Sequence, residues 1–165
     1  MSLKSFDNYI IKKYKKTDFK ELFKIFLSFQ SEANISFLED LKSPQTRGRE
    51  QRELLKNFLL ESIKNNEVFL AKNSENNEII MAYFFKYEEG EGAFNLAFKN
   101  TNYIFSHKIT DSCRECIQNF KKKYNLEKLV GKSMPRKNQM KFVRYLEKYY
   151  GATTKQNKDN ILLEF

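Results

Sequence analysis

Histidine occurs once in this 165-residue chain and tryptophan is absent; there are two cysteines, five glycines and two prolines. A single imidazole leaves little to build a Ser-His-Asp or Cys-His hydrolase from, because both cysteines fall on the apolar side of a predicted helix, away from any substrate. Cys113 and Cys116 are three residues apart, which makes them neighbours on one helix face rather than the start of a disulfide framework. With His107 they supply at most three soft ligands. Structural zinc takes four, commonly from two separated pairs, so no metal site is expected. No apolar run approaches the roughly 18 residues of a membrane span. The start, MSLKSFDNYI, lacks the apolar block and cleavage site of a signal peptide. A reducing cytoplasmic location is the expectation, and membrane association is not. Internal repeats and low-complexity stretches are lacking as well.

What the chain does have is aromatic bulk and positive charge. Hydrophobic residues make up 41% and aromatic residues 15%, with sixteen Phe and nine Tyr. A single domain over residues 1–165 is long enough to bury roughly two-thirds of its unfolded surface. The net charge of +9 is concentrated. Between Asn119 and Lys148 ten Lys or Arg face two acids, Glu127 and Glu147, so that segment alone carries +8. Such a field attracts phosphate, of a nucleic acid or of a phosphate-bearing cofactor; a plain solvated face is the alternative.

The hydrophobic spacing divides the chain into eleven elements. Tyr9 to Lys15 alternates as a strand. Thr17 and Asp18 are set to start a helix whose stripe is Phe19, Leu22, Phe23, Phe26 and Leu27. Ser31 to Arg49, with Pro44 and Gly48, is expected as a loop. Leu54, Leu55, Phe58, Leu59 and Ile63 mark a second helix. Val68–Ala71 and Ile79–Tyr87 form an expected hairpin across Asn73–Asn77, and the turn Glu88–Gly92 leads to a strand over Ala93–Phe98. A third helix carries Ile109, Cys113, Cys116, Ile117, Phe120 and Tyr124 on one face. A short strand spans Lys128–Val130, and a fourth helix carries Phe142, Val143, Leu146, Tyr149 and Tyr150. Ala152–Lys155 and Ile161–Phe165 close the chain around a turn at Asn157–Asp159.

This order, with Val130-Gly-Lys-Ser-Met-Pro-Arg-Lys-Asn138 running through a helix to Tyr149-Tyr-Gly-Ala152, resembles the GNAT N-acetyltransferase superfamily over nearly the whole chain. The resemblance implies an α+β fold: a mixed, mostly antiparallel sheet flanked by about four helices. It also implies acetyl-CoA as cofactor and an amine, on a small molecule or a protein, as acceptor. Family members hold the cofactor's pyrophosphate on a Gly-rich loop before the third helix, where backbone amides approach closely. The corresponding stretch here, Lys99 to Lys108, has no glycine. Ser106, His107 and Lys108 at the start of the helix, with Thr110 as a second capping candidate, are the residues placed to bind phosphate there, and Asn138 matches the family's Asn.

The family's general acid is a Tyr four residues before the closing Gly. That count reaches Glu147, and Tyr145 and Tyr149 on either side are the catalytic candidates. Glu88, Glu89 and Glu91 are acids near the meander turn that a proton-accepting role could use. Three functions stay open: an acetyl-CoA-dependent transferase, a catalytically silent GNAT-like binding or structural protein such as a viral component, and a nucleic-acid binder acting through Asn119 to Lys148.

Overall fold

The alternating and helical spacings form a sheet with helices on both faces, in the computed structural model, which describes residues 2–33, 49–133, 137–156 and 161–165. The elements are β1 (Tyr9–Lys13), α1 (Phe19–Ala33), α2 (Arg49–Asn65), β2 (Glu67–Asn73), β3 (Ile79–Glu88) and β4 (Glu91–Lys99). They continue as α3 (His107–Tyr124), β5 (Val130–Ser133), α4 (Lys137–Tyr150), β6 (Thr153–Gln156) and β7 (Ile161–Glu164). The sheet runs β1-β2-β3-β4-β5-β7-β6. Its neighbours pair antiparallel except β4 and β5, which are parallel. The element order and the α+β class are those expected from the sequence.

β3 explains why the sheet needs two helical layers. Its residues Ile79 to Phe85 are all buried, the continuous apolar run of a strand covered on both faces. Met81, Tyr83 and Phe85 pack with Ile109, Cys113, Cys116, Ile117 and Phe120 of α3 and with Val143 and Leu146 of α4. Ala82 and Phe84 turn to the other side, against Leu22, Phe23 and Phe26 of α1 and Leu55 and Leu59 of α2. Successive strand residues alternate faces, so one run of sequence feeds two cores.

Several boundaries differ from expectation for local reasons. β1 ends at Lys13 because a 3-10 turn occupies Lys16–Asp18, where Asp18 Oδ2 accepts the Lys15 amide at 2.8 Å. Asp18 therefore caps the turn that precedes α1 rather than opening α1 itself. β5 begins at Val130 and continues through Gly131, Lys132 and Ser133, which pair with Leu163, Leu162 and Ile161. Leu129 already exchanges backbone hydrogen bonds with Phe165, at 3.0 and 2.9 Å. A strand so short and polar is held by its neighbours rather than by its own composition. α1 extends to Ala33 and α2 begins at Arg49. Pro44, Gly48 and the turn at Asn157–Asp159 lie outside the described residues.

Candidate functional site

The sheet opens between its two parallel strands. Ala93 pairs with Val130 and Phe94 with Gly131, and the β4–β5 register ends there. At the same point the β3–β4 register shifts: Phe85 faces Phe94 and Phe84 faces Leu96, which leaves Asn95 as an extra residue in β4. A bulge of this kind bends and twists its strand. β4 turns away while β5 continues along β7 to the Ser133–Ile161 pair. From Asn95 to Phe98 the β5-side edge of β4 has no ladder partner among the described residues. Gly131 sits at the crossing point because a Cβ there would lie 3.3 Å from the Phe94 carbonyl oxygen. Crevices outside the carboxyl ends of diverging parallel strands are where open sheets take ligands.

The connection from β4 to α3 closes one end of this crevice without glycine. Asn100 anchors it: its Nδ2 donates to the Ile79 carbonyl at 2.9 Å, its Oδ1 accepts the Asn102 amide at 3.0 Å, and its own carbonyl accepts the Tyr103 amide at 3.1 Å. This is an Asx turn, in which a side chain replaces a backbone partner. The N-terminal segment runs alongside, with Lys4 bridged to Tyr103 through the Asn102 carbonyl and the Ile104 amide. The fully buried Tyr103 donates its hydroxyl to Glu78. That bond, with the Lys4 ammonium 3.0 Å away, holds the Glu78 carboxyl below its ordinary value.

Ser106 is the N-cap of α3, with extended backbone (φ −139°, ψ 168°), yet its hydroxyl caps nothing. Ser106 Oγ is buried with no hydrogen-bond partner among the described residues. The Ile109 amide donates to the Ser106 carbonyl at 3.1 Å, which leaves the orphan hydroxyl beside the amides of His107 and Lys108 as the donor set suited to an anion. Thr110 is not part of it, since its Oγ1 donates back to the His107 carbonyl at 2.7 Å. Lys108 is directed elsewhere too: its ammonium is held by the Phe6 and Asp7 carbonyls of the N-terminal segment.

α4 brings its tyrosines to the same helix terminus. Val143 and Leu146 face the core, which turns Tyr145 and Tyr149, one helical turn apart, toward α3. Tyr145 Oη lies 2.8 Å from His107 Nδ1. Tyr149 meets the imidazole edge-on at 5.3 Å, and Phe105 meets Tyr145 edge-on at 5.3 Å. Tyr145, Tyr149 and His107 thus meet at the start of α3, next to Ser106.

No protein-family model matches the chain, and no curated protein matches it by sequence. Solved structures do. The PaiA N-acetyltransferase of Thermoplasma acidophilum, determined in complex with coenzyme A, superposes with a TM-score of 0.66 at 16% identity, covering 96% of this chain and 98% of that one. A GNAT-family acetyltransferase of Staphylococcus aureus Mu50 gives 0.66 at 17% identity, covering 95% and 98%. The ribosomal-protein-S5-alanine acetyltransferase of Vibrio fischeri gives 0.65 at 16% identity, covering 100% and 96%. The chain has the GNAT fold.

Within that GNAT framework the remaining candidates fall as follows. Asn138 is the second residue of α4, and its side chain lies outside the described residues. Glu147, at the position the family count reaches, is exposed and accepts a hydrogen bond from Thr154 of β6, turned away from Tyr145. Glu88, Glu89 and Glu91 sit at the β3–β4 turn, the opposite end of β4 from α3's first turn. Eight residue steps along a strand separate those ends by about 26 Å, which removes these acids from the start of α3. Of the basic segment, Lys121 donates to the Phe165 carbonyl, Lys123 pairs with Glu67 and Lys128 pairs with Glu164. Cys113 and Cys116 are buried, and burial raises both thiols, Cys116 to about 12. No described helix is long and apolar enough to cross a membrane.

Sequence reasoning missed the bulge at Asn95, the Asx turn at Asn100 and the ring of Phe105. The Asn100-Thr-Asn102 spacing was the available signal for the turn. Nothing in the residue pattern marks the bulge, because it arises from a mismatch between two ladders.

Proposed function

We propose that the crevice between β4 and β5 binds an acyl-CoA, acetyl-CoA in the simplest case, and that the chain transfers its acyl group to an amine. One observation carries this reading. The orphan hydroxyl of Ser106 opens the helix whose first residue, His107, meets the phenol of Tyr145, and this helix follows β4, the strand that parts from β5 at Asn95. A GNAT-fold protein from Thermoplasma acidophilum that holds coenzyme A supports the choice of ligand.

The residues fit the cofactor's parts. Ser106 Oγ and the first-turn amides of α3 would receive a phosphate, with the helix dipole favouring negative charge there. The open edge of β4 from Asn95 to Phe98 suits an extended amide-bearing chain, since a strand edge offers amides and carbonyls in a row. When bound, the cofactor would supply an acyl group activated as a thioester. Tyr145 is the proton donor to the departing thiolate, and Tyr149 packs beside it as support, 4.6 Å between ring centres. The absence of glycine before α3 is met by the Asn100 turn, which sets the loop while leaving the start of the helix open.

The test is release of free CoA thiol from acetyl-CoA in the presence of a panel of primary amines, run beside direct CoA binding. Binding with amine-dependent release is the expected result. Binding without release on any amine would favour the catalytically silent GNAT domain, and neither would overturn the reading.

A further inference from the structure

We infer that His107 is a positioning residue for Tyr145: its Nδ1–H donates to the phenol oxygen, which leaves the phenol hydrogen free to point into the crevice. This rests on the reading above, in which Tyr145 is the acid. The 2.8 Å contact between Tyr145 Oη and His107 Nδ1 admits two arrangements. If the phenol donated to Nδ1, its one hydrogen would be spent on the imidazole. In the opposite arrangement the hydrogen stays available, and the oxygen has a donor already in place when that hydrogen leaves.

Three features of the surroundings fit a site held for chemistry. His107 is the first residue of α3, so its backbone is set by the helix. The ring's orientation is fixed by Tyr149, perpendicular to it at 89° and 5.3 Å, while Tyr145 is braced by Phe105 at 90° and 5.3 Å. Tyr149 and Phe105 are each 41% exposed, so the cluster faces solvent instead of filling the core. Apolar rings gathered at a surface mark binding sites more often than stability devices. The charged residues within four positions of His107 on α3 are Lys108 and Asp111, those within four positions of Tyr145 on α4 are Lys141, Arg144, Glu147 and Lys148, and the N-terminal segment adds Lys4 and Asp7. Lys108 is engaged by carbonyls, and Lys148 lies over the Tyr149 ring at 5.1 Å.

The proton balance is simple. The Oη–H bond of Tyr145 breaks, its hydrogen goes to the leaving sulfur, and the electron pair stays on Oη, where the His107 Nδ1–H holds it. As the C–N bond forms and the C–S bond breaks, the amine nitrogen gives up one proton to water, water returns one to Oη, and His107 itself ends unchanged.

His107 is the sole histidine, so its imidazole nitrogens give unique signals in a ¹⁵N spectrum of the intact protein. The expected spectrum of the neutral ring has the proton on Nδ1, shifting toward Nε2–H in Tyr145→Phe. A wild-type ring protonated on Nε2, or one indifferent to Tyr145→Phe, would overturn the inference. In the transfer assay, His107→Ala lowers kcat about 10- to 100-fold, a loss larger than any accompanying change in CoA affinity and the size expected for a displaced reacting group. His107→Asn, whose amide N–H lies near the Nδ1 position, recovers most of that loss, whereas His107→Gln does not. Equal kcat in wild type and His107→Ala would also overturn the inference. A protein that neither binds CoA nor transfers an acyl group would sink the cofactor reading instead, and the spectrum would still decide the His107–Tyr145 bond.

Discussion

Replacing Lys72 by Met tests how the first helical layer is tied to the sheet. Lys72, on β2, reaches Asp18 at 2.6 Å, and the two side chains are only 8% and 12% exposed. Removing one partner of a buried pair strands the other charge, at roughly 3–5 kcal/mol. Asp18 keeps one compensation, the Lys15 amide at 2.8 Å on its other oxygen, which puts the loss at the low end, about 3 kcal/mol. A chain of this size loses about 2–4 °C of Tm per kcal/mol, so Lys72→Met should melt about 6–12 °C lower. Urea unfolding should show a lower midpoint with an unchanged slope. Because Met keeps the apolar stem, the double variant with Asp18→Asn should lose clearly less than the sum of the two single changes. A Lys72→Met cost under about 1 kcal/mol would be that of a solvent-screened surface pair and would refute the reasoning.

Two further outcomes follow from the perturbed groups. The Glu78 carboxyl is held low by the Tyr103 hydroxyl and Lys4, so its contribution is present above the ordinary value of 4.5 and is lost as pH falls through the folded value. Glu78→Gln should therefore be less stable at pH 7 by under about 1 kcal/mol, given its partial exposure, and should lose less stability than wild type on acidification; parallel pH curves would contradict this. Cys113 and Cys116, buried at 0% and 2% exposure with raised thiols, should stay unreactive to an aromatic disulfide at pH 8 until denaturant is added. A thiol that reacts at once in the native protein would mean that α3 is rotated from the register described.

Much of the fold was legible because the hydrophobic spacing has one period per element. Of the six residues expected on the buried face of α3, Ile109, Cys113, Cys116, Ile117 and Phe120 are core residues, while Tyr124 is half-buried at the edge, stacked on Tyr87. β5 was legible in place but not in extent, since Gly131, Lys132 and Ser133 carry no apolar alternation and are strand residues because β7 pairs with them. The site was partly legible. Ser106, His107, Tyr145 and Tyr149 were named from position, and the fold brings them to the start of α3, but the hydrogen bond that links Tyr145 to His107 spans 38 residues of sequence and is a tertiary fact. Lys108 looked available for phosphate because a sequence shows charge but not the carbonyls of Phe6 and Asp7 that occupy it. The opening itself was invisible, because it depends on where two ladders lose register.

The central claim is that this opening is a cofactor site, and CoA-dependent melting tests it most directly. A ligand that binds only the folded chain stabilises it by about 2.7 kcal/mol at a hundredfold excess over its Kd. At that excess CoA should raise Tm by about 5–10 °C, while a nucleotide lacking the pantetheine arm should raise it less. An unchanged Tm at millimolar CoA would contradict the account.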